Sequence, residues 1–268
     1  MSKKIDISNK EFILLKELIH KNSGIDIQKN DKIHLENKLY DILIEKNINS
    51  FRDYYNSIKD NKKDIQIMIN EITINETYFF REKKHFTFLK QEILPKIKYD
   101  KFRCWSAAGS NGAEAYSIAM DIDYHLSSYQ NWEILTSDIN NNMVEYSKKG
   151  VYPIKYSKRI PIEYLKKYCY KGINEDEGFF KFKDNLKKNI DYKYINLIEK
   201  KNIDIGIFDL IFLRNIIIYF NDDDKKIIVD NVLKHLKKDG YLFMGHSESL
   251  DRITNKVVQI KPSIYKKL

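Results

Sequence analysis

The chain reads as an α/β protein, a doubly wound parallel sheet with a small β-rich insertion, preceded by an all-α N-terminal domain. Three observations predict this. Residues 5–72 carry apolar residues at helical spacing with no strand signal between them. From residue 101 short apolar runs alternate with helical patterns, as βαβ units require. The length, 268 residues, suits two domains better than one or three.

The first helix begins where Ser8 and Glu11 form a capping-box pair ahead of Phe12, Leu15, Leu18 and Ile19. Asp31 can cap a second helix with Leu35, Leu39, Ile42 and Leu43 inward, and Ser50 a third with Phe51, Tyr54, Tyr55 and Ile58. A fourth spans about Asp64 to Glu71. The stretch Asn75 to Arg81 reads as an Asn-capped helix start whose aromatics pack between the two parts of the chain. Lys101 to Ala107 is the first strand, and the turn Ala108-Gly109-Ser110-Asn111-Gly112 leads into a helix with Tyr116, Ala119, Met120 and Tyr124 inward. Trp132 to Ile139 is the second strand, and a helix then runs to Gly150. The insertion occupies about 155–190. Strands follow at Asp191 to Leu197 and Ile207 to Leu213, then a helix from Asp222 to Lys238 closed by Gly240, a strand from Tyr241 to Gly245, and a last edge strand within Gln259 to Lys267.

Composition excludes several classes. With 43% hydrophobic and 32% charged residues the chain can pack a core and is neither collagen-like nor wholly disordered. The most apolar run, Ile211 to Phe220, is too short to span a membrane and is broken by Arg214 and Asn215. The first residues have charge without an apolar h-region, so the expected location is the cytoplasm. Cys104 and Cys169 read as buried thiols, without the clustered His and Cys partners of a structural zinc site, and no metal is expected. The net charge of +9 invites a nucleic-acid reading, but 41 of the 47 basic residues are Lys and the excess sits mainly in 136–202. No nucleic-acid partner is expected, and the few arginines become informative, since only Arg offers a planar bidentate fork.

Several motifs remain. Gly109 and Gly112 stand where a ligand or a tight turn needs them, and Asp138 ends the second strand, where doubly wound folds set a carboxylate against a ribose or cap the next helix. No GxxxxGK[ST] occurs, which excludes a P-loop, and the imperfect GxGxxG disfavours NAD. Gly245-His246-Ser247-Glu248-Ser249 nearly matches a nucleophile elbow, but no histidine follows to complete a hydrolase triad. Asp222-Asp223-Asp224 suits a helix start better than a metal. Arg214-Asn215 ends an otherwise apolar strand, at the edge where open α/β sheets bind ligands.

As an ordered set these motifs resemble the chemotaxis receptor methyltransferases, the CheR family. The set is Asn75-x-Thr77-x-Phe79-Phe80-Arg81, Trp105-Ser106-Ala107-Ala108 with Gly112-x-Glu114-x-Tyr116-Ser117, Ser137-Asp138-Ile139, Asn196-Leu197, Arg214-Asn215-x-x-Ile218-Tyr219-Phe220 and Gly245-His246-Ser247-Glu248. The resemblance implies a Rossmann-like S-adenosyl-methionine-dependent methyltransferase domain over 75–268 after an N-terminal helical domain over 1–74. It implies an enzyme that takes S-adenosyl-L-methionine and methylates glutamate side chains of chemoreceptor cytoplasmic domains, giving glutamate methyl esters and S-adenosyl-L-homocysteine. By the same resemblance Asn75, Thr77 and Arg81 touch the cofactor's amino-acid end and Glu114 follows the first strand. Asp138 meets the ribose, Asn196 and Leu197 flank the adenine, and Arg214 and Asn215 line the pocket. Arg81 and Tyr219 match the pair beside the reacting methyl. Where the family commonly has Gly-Glu-Glu-Pro-Tyr, this chain has Gly112-Ala113-Glu114-Ala115-Tyr116. The loop Gly172 to Gly178 resembles that of members docking a receptor's C-terminal pentapeptide, with Asn174 in place of a common glycine. Two other readings stand beside this one: a methyltransferase of the same fold with a different acceptor, and a non-catalytic receptor regulator that keeps the cofactor pocket.

Overall fold

The structure, a computed structural model, describes residues 5–97, 101–126, 131–199 and 203–268; the first four residues, part of the segment read for a secretory signal, lie outside them. The chain divides into two compact units, one of residues up to Ile74 with Ile218–Lys225, the other Asn75–Ile217 with Lys226–Leu268.

The first unit is helical: α1 (Asn9–Ser23), α2 (Lys32–Glu45), α3 (Phe51–Ile58) and α4 (Lys62–Ile72). The Ser8–Glu11 capping box forms as expected, and the second oxygen of Glu11 accepts the Arg52 amide at 2.9 Å, joining the starts of α1 and α3. Leu15, Ile19, Leu39, Leu43 and Phe51 are buried, with α1 packing on α3 and α4, and α2 on α4. Asp31 does not cap α2 with its side chain; its carboxylate turns back to the Gln28 amide at 3.1 Å and closes a 3-10 turn instead. The fourth helix starts earlier than expected because Asn61 caps it, accepting from Lys63 N at 3.0 Å.

The second unit is built on a seven-stranded sheet of order β6-β2-β1-β7-β8-β10-β9. Residues 75–81 form no helix; α5 (Lys83–Phe88) begins only after Phe80 and Glu82 pass through the left-handed region. Then follow β1 (Phe102–Ala107), α6 (Ala113–His125), β2 (Trp132–Asp138), α7 (Asn141–Lys149), β3 (Val151–Pro153), α8 (Ile162–Tyr168), β4 (Cys169–Lys171), β5 (Phe179–Phe182), α9 (Asp184–Lys187) and β6 (Ile190–Tyr194). The chain continues with β7 (Phe208–Leu213), α10 (Asp222–Lys234), β8 (Leu236–Met244), β9 (Val257–Lys261) and β10 (Ile264–Lys267). Strands β6, β2, β1, β7 and β8 run parallel, whereas β10 is antiparallel to β8 and to β9.

Several expectations are corrected. The helix expected to reach Lys238 stops at Lys234, because Leu236 pairs with Phe208 and opens β8 early. Gly240 therefore lies within that strand and caps nothing, and the register shift falls beside Asp239, whose φ is 63°. The expected edge strand at 259–267 is a hairpin turning at Ser263, with β10 inside the sheet and β9 at its edge. Tyr124 is 45% exposed, at the end of α6 where His125 is exposed too, and Cys169 is only half-buried; Cys104 is buried, as expected. Phe79 packs within this unit, at 5.0 Å from Tyr152 and 5.7 Å from Phe182, rather than between the two parts of the chain.

The insertion is a three-stranded antiparallel sheet of order β3-β5-β4. The inward residues of β5, Phe180 and Phe182, alternate with exposed Phe179 and Lys181, so the small sheet has one buried face.

Candidate active site

The carboxyl ends of β1, β2 and β7 carry most of the residues that the sequence selects. After β1 the chain turns through Ala108 and Ser110, both with positive φ, and Gly109 passes so close to β2 that a Cβ there would meet Thr136 Oγ1 at 2.2 Å. This turn delivers Glu114 to the first turn of α6, where it accepts from Ser106 Oγ at 2.7 Å. It also places the Ser110 amide 2.8 Å from Asp138 Oδ2 and the Ser110 hydroxyl 2.9 Å from the Asn75 carbonyl, so Ser110 links two of the selected residues.

Asp138 is buried and does not cap α7; Asn140 does, accepting from Asn142 N and Met143 N. Burial pushes the Asp138 carboxyl above the usual range, against the pull of the Asn140, Ser110 and Ile139 amides. The Asp138 carbonyl accepts from Ile195 N at 3.1 Å, which sets the following Asn196 and Leu197, both buried, beyond the end of β6.

Arg214 follows β7 with its side chain 2% exposed. Its Nη1 donates to Glu114 at 2.8 Å, its Nη2 to the Arg81 carbonyl at 2.5 Å, and its Nε to Glu82 at 3.3 Å. Two carboxylates thus converge on one guanidinium, and negative charge is in excess. Burial pushes the Glu82 carboxyl up, but Arg214, the His246 amide and the imidazoles of His85 and His246 outweigh it and hold it below the usual range. Beside it, burial and then Arg214 push His85 down to about 3.

Asn215 has φ 57° and is held by its neighbours. Glu248 accepts from the amides of Asn215 and Gly245 through one oxygen, both at 2.7 Å, and from Ile216 and Ile217 through the other, at 2.8 and 2.9 Å. Burial raises the Glu248 carboxyl while these four amides pull it back. A Cβ at Gly245 would meet Asn215 Nδ2 at 2.6 Å, so the glycine lets the two loops touch. Positive φ at Phe80, Glu82, Ala108, Ser110 and Asn215 concentrates backbone strain in the loops around Arg214, as functional sites often do.

The geometry therefore gathers Arg81, Glu114, Arg214 and Asn215 into one network and ties Asn75 to Asp138 through Ser110. Thr77 stands half-buried two residues from Asn75, outside those contacts. Arg81 is half-buried, its guanidinium donating to the Glu76 carbonyl at 3.2 Å. Tyr219 belongs to the helical unit, where its carbonyl accepts the Asp26 amide at 2.9 Å and nearby Asp224 meets His20 at 2.7 Å. Sequence reasoning missed Glu82 and the role of Glu248. The second stood inside the quoted Gly245 to Glu248 motif; the first gives no signal beside the lysines that follow it.

Residues 75–265 match the CheR methyltransferase SAM binding domain, and residues 10–73 match the CheR methyltransferase all-alpha domain. The chain belongs to the CheR methyltransferase family. The chemotaxis protein methyltransferase of Borreliella burgdorferi is 34% identical over 275 residues, covering 98% of this chain and 96% of that protein. That of Escherichia coli is 30% identical, covering 99% and 93%, and that of Salmonella typhimurium 30% identical, covering 94% and 88%. This CheR-family chain is an S-adenosyl-methionine-dependent methyltransferase. The residues fit that cofactor: the excess negative charge at Glu82 and Glu114 complements its sulfonium and ammonium, and Asp138 offers a buried carboxylate of the kind that meets a ribose diol. Among the described residues no helix is long and apolar enough to cross a membrane.

Proposed function

We propose that the chain methylates glutamate side chains of chemoreceptor cytoplasmic domains, in the cytoplasm, producing glutamate methyl esters and S-adenosyl-L-homocysteine. Residues 1–74 serve as the helical domain and 75–268 as the methyl-transfer domain. The observation that carries this reading is the over-compensated Arg214, set between Glu82 and Glu114 in a chain whose relatives are chemotaxis methyltransferases. The cofactor supplies an electrophilic methyl group. A glutamate acceptor is already ionised near neutral pH, so no general base is needed and the protein's task is alignment and exclusion of water.

In this reading Glu114, Arg214 and Asn215 orient the cofactor, with Asn75 and Thr77 at its amino-acid end, Asp138 on the ribose and Asn196 and Leu197 beside the adenine. Arg81 holds the incoming carboxylate by a charge-assisted hydrogen bond, and Tyr219 orients it through its hydroxyl. Arg81 must position more than it neutralises, because a tight clamp would stabilise the nucleophile before reaction. Docking of a receptor C-terminal pentapeptide is supported by β4, an edge strand of the small sheet with Tyr170 62% exposed, and by Asn174, which adopts the left-handed φ of 54° that a glycine at that place would adopt.

The test is methyl transfer from tritiated S-adenosyl-methionine to receptor-enriched membranes, read as base-labile methyl release. Arg81→Ala is expected to lower the rate at least tenfold, about 1.4 kcal/mol in the barrier. Unchanged turnover would remove Arg81 from the mechanism; binding of S-adenosyl-homocysteine without any base-labile product would favour the non-catalytic reading.

A further inference from the structure

Beside Arg214 three potential ligand atoms converge from two distant parts of the chain. Glu82 stands at the start of α5, His85 lies one turn on, and His246 follows β8. Glu82 Oε2 lies 3.4 Å from His85 Nδ1 and 3.7 Å from His246 Nε2, and all three atoms fall within 4.8 Å of one another. Two atoms bound about 2.1 Å from a tetrahedral zinc ion stand about 3.4 Å apart, so the spacing already approximates a coordination edge.

The hydrogen bonding of His85 supplies an independent observation. Ser263 Oγ lies 2.7 Å from the Pro262 carbonyl and 2.8 Å from His85 Nε2; with its proton on that carbonyl it accepts from Nε2. In that arrangement the proton of a neutral His85 sits on Nε2, which leaves the Nδ1 lone pair on the Glu82 side. Nδ1 is buried, in a side chain 1% exposed, and meets no hydrogen-bond partner. A buried acceptor without a partner is costly until a proton or a metal cation meets it, and a cation between Nδ1 and Glu82 meets both groups at once. Phe243 packs 4.9 Å from the His85 ring and fixes its plane.

We propose that Glu82, His85 and His246 form a binding site for a zinc-like divalent transition ion. Two imidazoles and one carboxylate select such an ion over magnesium or calcium, which prefer oxygen ligands. Three protein ligands leave a fourth position open, and His246, 49% exposed, gives the ion a route from solvent. Glu82 then stands between Arg214 and the ion, and the bound ion cancels the negative charge that Glu82 otherwise offers the cofactor, so ion and cofactor oppose each other's binding. The guanidinium, 3.2 Å from the same oxygen, opposes the ion's charge and limits its affinity.

The test uses the full chain, stripped with chelator and titrated with zinc chloride by calorimetry, with cobalt absorption reporting the coordination. One saturable equivalent is expected. His246→Ala, on the accessible side of the cluster, should weaken binding at least tenfold, while His34→Ala, on an exposed helix face, should leave it unchanged. Long-range proton–nitrogen spectra should show the His85 Nδ1 resonance moving with zinc in the wild type. Absence of a saturable equivalent, equal affinity in His246→Ala, or an unmoved His85 Nδ1 would each overturn the site.

Discussion

Two arginines, at opposite ends of the same central strands, have opposite electrostatic surroundings. Arg103, near the start of β1, stacks 4.5 Å over Phe208 and donates to the carbonyls of Ile207 and Ile205 at 2.8 and 2.9 Å. Among the described residues its guanidinium meets one carboxylate, Glu133, which Lys101 shares, so positive charge is in excess around Glu133. Arg214, beyond the end of β7, is shared by two carboxylates. The first arginine ties loops to strands and sits 27% exposed, where water moderates the imbalance. The second holds its imbalance in a buried place, where uncompensated charge acts strongly on a ligand. A cation that fastens the fold and one that shapes a site are separated by the charge left over, not by the number of hydrogen bonds.

Breaking the buried arrangement gives the largest effect. Arg214→Met leaves Glu82 and Glu114 facing each other without their cation, and a loss of about 3–5 kcal/mol is expected in denaturant unfolding, with cofactor binding abolished. A fall below about 1 kcal/mol would mean the carboxylates find other partners.

Asp121, on α6, sharpens the comparison because it is a buried carboxylate that, among the described residues, has no cation in hydrogen-bonding contact. One oxygen accepts from Tyr164 at 2.7 Å and the other has no partner. Burial raises its pKa from 3.8 to about 6, against the pull of Tyr164 and of Lys90. The folded protein thus holds this proton to higher pH than the unfolded chain does. The residue's stabilising contribution is complete below pH 3.8 and lost as pH rises through about 6. Asp121→Asn is expected to be more stable than the wild type at pH 8, by up to about 3 kcal/mol, with the gap closing below pH 6. Thermal unfolding of both proteins between pH 5 and 8 checks this; a constant gap would assign the effect to packing.

Glu114→Gln removes one of the two charges on Arg214 and keeps the shape. Affinity for S-adenosyl-homocysteine, read by calorimetry, should fall about tenfold or more, near 1.4 kcal/mol, with a smaller change in unfolding. The smallest effect belongs to the other end: Arg103→Met should cost about 1 kcal/mol of stability and leave cofactor affinity unchanged. A weakened cofactor in that variant would show that the two ends are coupled through β1.

Much of what depended on local pattern was legible, although the Asp31 cap and the helix start at Asn75 failed locally, because Asp31 turned back to Gln28 and the backbone after Asn75 entered no helix until Phe80 and Glu82 had passed through the left-handed region. The Ser8–Glu11 cap, the alternation from β1 onward and the placing of Arg214 at a strand end all follow from spacing of a few residues. The sequence misread elements whose boundary a distant partner decides. Leu236 looks helical until Phe208 pairs with it, and the 259–267 segment looks like one strand until Ser263 turns it. The same holds for the site. Asp138 was legible because strand ends carry ligands, whereas Glu82 lies among lysines and acquires its role only when Arg214, 132 residues on, meets it. His85 and His246 gave no cluster in the sequence for the same reason.

The bond from His85 to Ser263 has a kinetic consequence. Its partners stand 178 residues apart, and closing so long a loop costs entropy before the contact returns any energy. The corner of the site beside Glu82 therefore acquires its final shape only once the β9–β10 hairpin has docked.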